Sequence, residues 1–507
     1  MNTLPVWSVD ARTGAESAQV TVESTAEDVD RAVRAARAAL PALAARPARA
    51  ALLRAAAELL ERRSEALIAA ADLETALGTV RLTGELARTS YQLRAFADAV
   101  DEGGFLDVVI DHADPGARPA PRPDLRRWKI PLGVVAVFAA SNFPFAFSVP
   151  GGDTASALAA GCPVVAKAHP DHPATSELTA AAIRDAAESV GLPADVLVLV
   201  HGRQAGVELV QHPLISAAGF TGSIPGGRAL FDLAAARPTP IPFHGELGSL
   251  NPVVVTERAA AERAEEIGAG LAGSFTQGMG QFCTKPGLVF VPAGAAGDRL
   301  EKALTAGAEQ AATGALLDAR MRAGFLTGFA ARAALPGVTA PLAAEPVANQ
   351  GQAVRAGYVS LPARLLAEDA YEALLEECFG PLTVVARYDG LGEVGAALGR
   401  LGGNLTATLH AQPGDPHAPE LLALLTGLAG RVLHGGWPTG VAVAPAMHHG
   451  GPYPATTSTS TSVGGTAVER WLRPVVYQGV PAELLPAELR DENAPGVPRR
   501  VDNRLER

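Results

Sequence analysis

A chain of 507 residues is long enough for about two to four domains, and 48% hydrophobic against 19% charged content supplies material for large cores. A formal net charge of −11 with no basic tract excludes a nucleic-acid or anionic-membrane partner. Cys162, Cys283 and Cys378 are too few for a disulfide framework and are not spaced for a zinc site, so a reducing cytoplasm is the expected compartment.

The N-terminal MNTLPVWSVDARTG lacks the basic-then-apolar pattern of a signal peptide. No run of about 18 apolar residues escapes charges or Pro/Gly breaks, so no membrane helix is expected. Residues 25–100 carry apolar positions at helical spacing, with Thr25 placed as an N-cap. The Pro-rich DPGARPAPRPDLRRW, residues 114–128, reads as a linker or an arm leading into a strand. From residue 130, GVVAVFAA, CPVVAKAH, DVLVLVHG and AAGFTGS alternate with helical stretches, the pattern of βαβ units around a buried parallel sheet. A second α/β block begins near residue 252, with NPVVVT, GLVFV and LTVVARY. RWLRPVVYQGV, residues 470–480, reads as a late strand, and 482–507 as a polar, partly disordered tail.

Five stretches carry candidate chemistry. In GSFTQGMGQFCTKPG, residues 273–287, Cys283 lies in open, Gly-rich backbone. A thiolate is a strong nucleophile, and positive charge lowers its pKa; Lys285 and backbone N–H groups are the expected source. Taken alone, such a cysteine is as readily a packing residue, the reading given to Cys162 and Cys378. FHGELGSLNP, residues 243–252, places Glu246 in a Gly-flanked turn, as a general base if burial raises its pKa or else as a solvated loop acid. In ASNFPFAF, residues 140–147, Asn142 follows a strand where open α/β sheets place ligands, and its amide can hold an oxyanion. GFTGSIPGGRALFDLAA, residues 219–235, reads as strand, turn and helix, with Gly222, Ser223 and Gly227 facing a phosphate at the helix start. Lys167 ends another strand of that sheet, where a cation suits ribose hydroxyls or a phosphate. His169 and His172 have metal-like spacing but no third ligand, so no metal is expected.

In order and spacing, SNFP, KAHP, FTGS, ELGSLNP, GQFCTKPG and ECFGPL, spanning residues 141–382, resemble the NAD(P)-dependent aldehyde dehydrogenases. GQFCTKPG, KAHPDHP and HHGGPYPATT are similar to the branch holding the 2-oxoglutarate semialdehyde (2,5-dioxopentanoate) dehydrogenases and an NADP-dependent fatty-aldehyde dehydrogenase. The resemblance implies an α/β fold: a Rossmann-like cofactor-binding domain (1–118 and 134–247), a second α/β catalytic domain (248–450), a small β oligomerisation arm (119–133 and 466–481) and a tail (482–507). It implies Cys283 as nucleophile, Glu246 as general base, and Asn142 with the Cys283 backbone N–H as oxyanion holders. Lys167 matches the adenosine-ribose contact, Ser223 the pyrophosphate contact, and Glu377 and Phe379 the nicotinamide-ribose and ring contacts, with Ala140 and Gly248 as further cofactor contacts. Pro170 stands where many NAD-using members carry an acid on the ribose 2′-OH; with Lys167 and Arg203 able to pair with a 2′-phosphate, NADP is expected over NAD.

Phe143, Phe145, Phe282 and His449 are the substrate-pocket candidates; for His449 and its neighbour His448, packing is the alternative. The expected reaction is oxidation of a small-molecule aldehyde to the acid through a cysteine thioester, with 2,5-dioxopentanoate the first substrate and a fatty or other aldehyde the alternative. Outside that class stand a cysteine hydrolase or acyltransferase and a catalytically idle binding homologue. A homodimer or homotetramer is expected, because an arm strand otherwise offers unpaired backbone groups.

Overall fold

The computed structural model describes residues 4–506. Thr25 starts the first helix, Ala26–Ala39: its side chain accepts from Asp28 N at 3.1 Å, and Thr25 N donates back to Asp28 Oδ2 at 2.9 Å. Three more helices follow, Arg46–Arg62, Ser64–Thr75 and Thr79–Glu102.

The apolar runs that follow form a five-stranded parallel sheet in the order Leu197–Val200, Val164–Lys167, Val134–Phe138, Ile215–Thr221, Phe243–Glu246. Val134–Phe138 is buried along its whole length, because Val135 and Val137 face one apolar cluster while Val134, Ala136 and Phe138 face another. The chain adds strands outward on one side, then returns to lay Ile215–Thr221 on the other side of Val134–Phe138. That reversal opens a crevice at the strands' carboxyl ends. Asn142 follows one of the two strands flanking it and Ser223 follows the other.

A second, seven-stranded sheet runs Thr339–Leu342, Gly357–Pro362, Leu382–Tyr388, Leu288–Pro292, Pro252–Val255, Asn404–His410, Ala429–His434. Only the outermost Thr339–Leu342 is antiparallel to its neighbour.

The arm is larger than the sequence suggested. Leu472–Gln478 pairs with Leu125–Pro131, which pairs with Val108–Asp111. The supposed tail then adds Arg499–Val501 and Arg504–Glu506 to the same sheet. Leu485, Leu489 and Val497 enter the main core, and Asp502 accepts from His112 N at 3.0 Å, so this segment is fixed where disorder was expected. At the arm's root, Trp471 is buried and donates from Nε1 to Ser156 Oγ at 2.8 Å, while Arg470 pairs with Asp153 at 2.6 Å. No helix among the described residues is long and apolar enough to cross a membrane.

His244 lies edge-on to Trp471, ring centroids 5.2 Å apart. Burial, helped by the Arg470 charge, takes its pKa down to about 3. A histidine held neutral this way stabilises the fold fully above the ordinary value of about 6.5 and loses that contribution as pH falls, because the unfolded chain takes up the proton first. Asp171 and Glu377, pushed up to about 7 by burial, act in the opposite direction. The clean readout is therefore a difference. His244→Asn is expected to be less stable than the wild type at pH 7, and the gap should shrink by about 1–2 kcal/mol at pH 5. Denaturant unfolding at both pH values checks this; a constant gap would contradict it.

Candidate active site

The helix Glu257–Thr276 ends in a turn in which Gly278, Met279 and Gly280 all take left-handed backbone, with φ of 55°, 58° and 62°. A Cβ on Gly280 would lie 2.3 Å from Gly380 O, so only glycine lets this loop rest backbone-on-backbone against residues 377–380. Past that contact the chain presents Cys283, half-buried at the cleft.

The carbonyls around Cys283 are fixed by Asn251, a residue passed over within ELGSLNP. Buried and itself left-handed at φ 56°, Asn251 donates from Nδ2 to Cys283 O at 2.8 Å and Lys285 O at 2.9 Å, and its Oδ1 accepts from Thr406 N at 3.1 Å. Asparagine tolerates this backbone better than most residues. Asn251→Ala strips three buried partners, each costing about 1–3 kcal/mol when left unpaired. A destabilisation of several kcal/mol in denaturant unfolding, with turnover lost in the surviving folded fraction, is expected; a shift below about 1 kcal/mol would contradict it.

Lys285 does not do what its proximity in sequence suggested. Its ammonium is buried and donates to Cys378 O at 3.0 Å and Leu382 O at 2.7 Å, tying the Cys283 loop to the neighbouring strand. The cation that favours the Cys283 thiolate is Arg431. Burial and the adjacent Glu246 charge prevail, and the thiol is pushed well above its ordinary value.

Glu246 is the last residue of the edge strand Phe243–Glu246, paired with Thr221, rather than part of the turn that follows. Its Oε2 accepts from Ser462 Oγ at 2.7 Å, and its Oε1 lies 2.9 Å from His449 Nε2. Burial alone would raise its pKa, but His449 and Ser462 outweigh it and the net direction is down, opposite to the expectation. The same His449 Nε2 stands 3.6 Å from Cys283 Sγ. His449 Nδ1 is buried without a partner among the described residues, which assigns the ring proton to Nε2, where two acceptors face it. Thr461 Oγ1 fixes the histidine by accepting from His449 N at 2.8 Å. Carboxylate and sulfur therefore share the one Nε2–H, the carboxylate holding it more closely, and the polar atoms of the three groups lie within 4.8 Å of one another. Ser462 carries no signal in its local pattern, and His449 stood between pocket and packing.

Asn142 is buried and donates from Nδ2 to Gln281 O at 3.0 Å, two residues before the sulfur. Its own carbonyl accepts from Arg81 Nη2 at 2.7 Å. The cleft beside Cys283 has a volume of about 240 Å³ and is walled by Phe143, Phe147 and Phe282. Phe143 and Phe282 meet edge to face, ring centroids 5.2 Å apart, and Phe147 lies 5.8 Å from the His449 ring. Phe145 is not part of this wall. It is fully buried in the main core, turned away by the tight turn that also seats Phe145 N and Ala146 N on Glu85 Oε1 at 2.8 and 2.9 Å.

The cofactor candidates ring the crevice of the parallel sheet. Ser223 caps the helix Ile224–Ala235, whose start is exposed at Gly222, Ser223 and Gly226. Gly227 leaves no room for a side chain: a Cβ there would lie 2.1 Å from Leu247 Cδ2. A Cβ on Gly248 would lie 2.6 Å from Glu377 Oε2, which places these two at one point, with Phe379 half-buried in the same loop. Lys167 ends its strand half-buried, its ammonium taken down to about 8 by burial. Pro170 and Arg203 are exposed, Arg203 opening the helix Arg203–Gln211. Ala140 O is taken by His172 Nε2 at 2.7 Å, which accounts for that histidine. Open helix start, glycine cradle, desolvated ammonium and recessed carboxyl fit a dinucleotide laid along the crevice.

A profile described as "Aldehyde dehydrogenase family" matches residues 5–412. The chain is 47% identical to "Alpha-ketoglutaric semialdehyde dehydrogenase 2" of Azospirillum brasilense, over 90% of this chain and 87% of that one. It is 42% identical to "Alpha-ketoglutaric semialdehyde dehydrogenase" of Acinetobacter baylyi, over 99% and 96%. Among solved structures, PnpE in complex with nicotinamide adenine dinucleotide superposes with a TM-score of 0.79 at 24% identity, covering 95% of this chain and 96% of that one, a likeness of fold. With Glu246 drawn up to Cys283 around His449, and Asn142 bonded two residues before the sulfur, in an α/β fold that this family shares, the chain belongs to the aldehyde dehydrogenase family.

Proposed function

We propose that this aldehyde dehydrogenase converts 2-oxoglutarate semialdehyde (2,5-dioxopentanoate) to 2-oxoglutarate, with NADP preferred over NAD. The observation that carries the chemistry is the cluster Glu246–His449–Cys283 beside the Asn142 amide. The printed activities of the two relatives support the substrate.

The resting thiol is protonated and Glu246 ionised, so the carboxylate takes the thiol proton as sulfur attacks the aldehyde carbon. As that proton leaves, and before the C–S bond closes, His449 Nε2–H faces the sulfur. Asn142 keeps one amide hydrogen on Gln281 O and offers the other, with the Cys283 backbone N–H, to the oxyanion of the thiohemiacetal. A bound nicotinamide supplies the hydride acceptor, and Glu377 would hold its ribose. Glu246 passes the thiol proton to solvent, and the restored carboxylate deprotonates the water that hydrolyses the thioester on Cys283; the acid leaves, and the departing thiolate takes that proton back from Glu246. For the 2′-phosphate, Lys167 and Arg203 supply positive charge and Pro170 supplies none of the usual acid. Asp171 next to Pro170 is held up to about 7 by burial, which mutes its repulsion.

The test compares kcat/KM for 2,5-dioxopentanoate, succinate semialdehyde and decanal, each with NADP and NAD. The first is expected to lead by at least about tenfold; a lead for decanal would sink the substrate assignment. The exposed edge of Leu472–Gln478, where Val476 is 53% exposed, is the strand proposed to pair with a second copy in a dimer or tetramer.

A further inference from the structure

We infer that Arg81 and Arg88 form an anchor for a carboxylate at the far end of the substrate, and that they set the preference for aldehydes that end in an acid; this rests on the proposed function above.

Both arginines lie on the helix Thr79–Glu102, seven residues apart and so on one face, and both line the cleft that ends at Cys283. The Arg81 guanidinium lies over the two rings flanking the reacting groups, 4.9 Å from the Phe143 centroid and 4.5 Å from that of Phe282. Arg88 lies over Phe147 at 5.4 Å. Aromatic faces hold the guanidiniums in plane without using their N–H donors. Arg81 spends only Nη2, on Asn142 O at 2.7 Å; Nε and Nη1 are buried without partners. Arg88 makes two long contacts, Nε to Val441 O at 3.3 Å and Nη1 to Gln92 Oε1 at 3.4 Å, and Nη2 is buried without a partner.

Unpaired, buried charged donors are costly unless something pairs with them. The acid between them, Glu85, is already occupied by the N–H groups of Phe145 and Ala146 through one oxygen, and burial raises its pKa. The cleft therefore holds two guanidiniums against at most one carboxylate. A ligand carboxylate supplies the missing counterion, and guanidinium forks match its geometry. A fatty aldehyde would leave the same donors unpaired, so the cleft discriminates against it.

The experiment compares 2,5-dioxopentanoate with pentanal, its neutral five-carbon counterpart, in wild type, Arg88→Gln, Arg88→Lys and Arg81→Gln. In Arg88→Gln, kcat/KM for the acid is expected to fall about 30–100-fold, mainly through KM, and far more than for pentanal. Arg88→Lys should recover part of the loss. Glutarate should protect wild-type Cys283 from iodoacetamide, and Arg88→Gln should need far more of it. Arg81 also steadies Asn142, so Arg81→Gln should lower both substrates, the acid more. If wild type prefers the acid and both Gln variants keep that preference, or if both substrates fall equally, the anchor is overturned while the substrate stands. If wild type does not oxidise 2,5-dioxopentanoate, the substrate assignment fails; the anchor is then judged by succinate semialdehyde against butanal, and it falls if the variants leave that ratio unchanged.

Discussion

Cys283→Ala is expected to lower aldehyde oxidation by at least about 10⁴-fold while the enzyme still binds its nicotinamide cofactor. The size follows from the absence of a substitute. Thr284 lines the same cleft, but a hydroxyl is far less ionised than a thiol near neutral pH. Cys162 and Cys378 are buried elsewhere, and burial pushes the Cys162 thiol up to about 11. Water attacking the aldehyde directly would form no thioester. Stopped-flow absorbance of the reduced cofactor reads the chemistry, and quenching of protein fluorescence reads cofactor binding. Turnover above about 1% of wild type in a folded Cys283→Ala would show that sulfur is not the nucleophile.

Glu246→Gln is expected to lower steady-state turnover about 10²–10⁴-fold, the usual worth of a placed general base, yet to retain a burst of reduced cofactor. Glu246 both accepts protons and opposes ionisation of the thiol, because its charge is among the causes holding the Cys283 pKa up. Removing that charge lowers the thiol pKa, and the His449 Nε2–H at 3.6 Å is then free of its carboxylate partner and available to the thiolate. The thiol can then lose its proton to solvent without Glu246, so thioester formation survives and hydrolysis stalls. Iodoacetamide at pH 7 should also modify Cys283 faster in Glu246→Gln than in the wild type. Loss of the burst together with the steady state would place Glu246 in the first step alone, and slower alkylation would contradict the charge argument.

Motifs carried most of this site because its chief groups sit at strand ends, where local pattern is strong. Asn142 follows the central strand, Glu246 ends the edge strand and Cys283 precedes Leu288–Pro292. What the sequence hid was contact over long separation. His449 and Ser462 reach Glu246 across more than 200 positions, Ser462 from a Ser/Thr-rich stretch whose composition suggests only a loop. Lys285 misled for the opposite reason: adjacency in sequence implied adjacency in space, but the loop turns the ammonium away from the sulfur and into a carbonyl pair. The C-terminal strands were missed because each is three residues long and rich in arginine, with no apolar alternation to read; backbone pairing to Val108–Asp111 makes them strands. Arg81 and Arg88 fall on a helix whose pattern announces only an amphipathic face.

The glycine contact at positions 280 and 380 carries a mechanical implication. The sulfur-bearing loop leans on the stretch that bears Glu377, and the Lys285 ammonium fastens them together at Cys378 O. A side chain larger than hydrogen at position 280 would push against Gly380 O, and the displacement would reach Glu377 and Cys283 together.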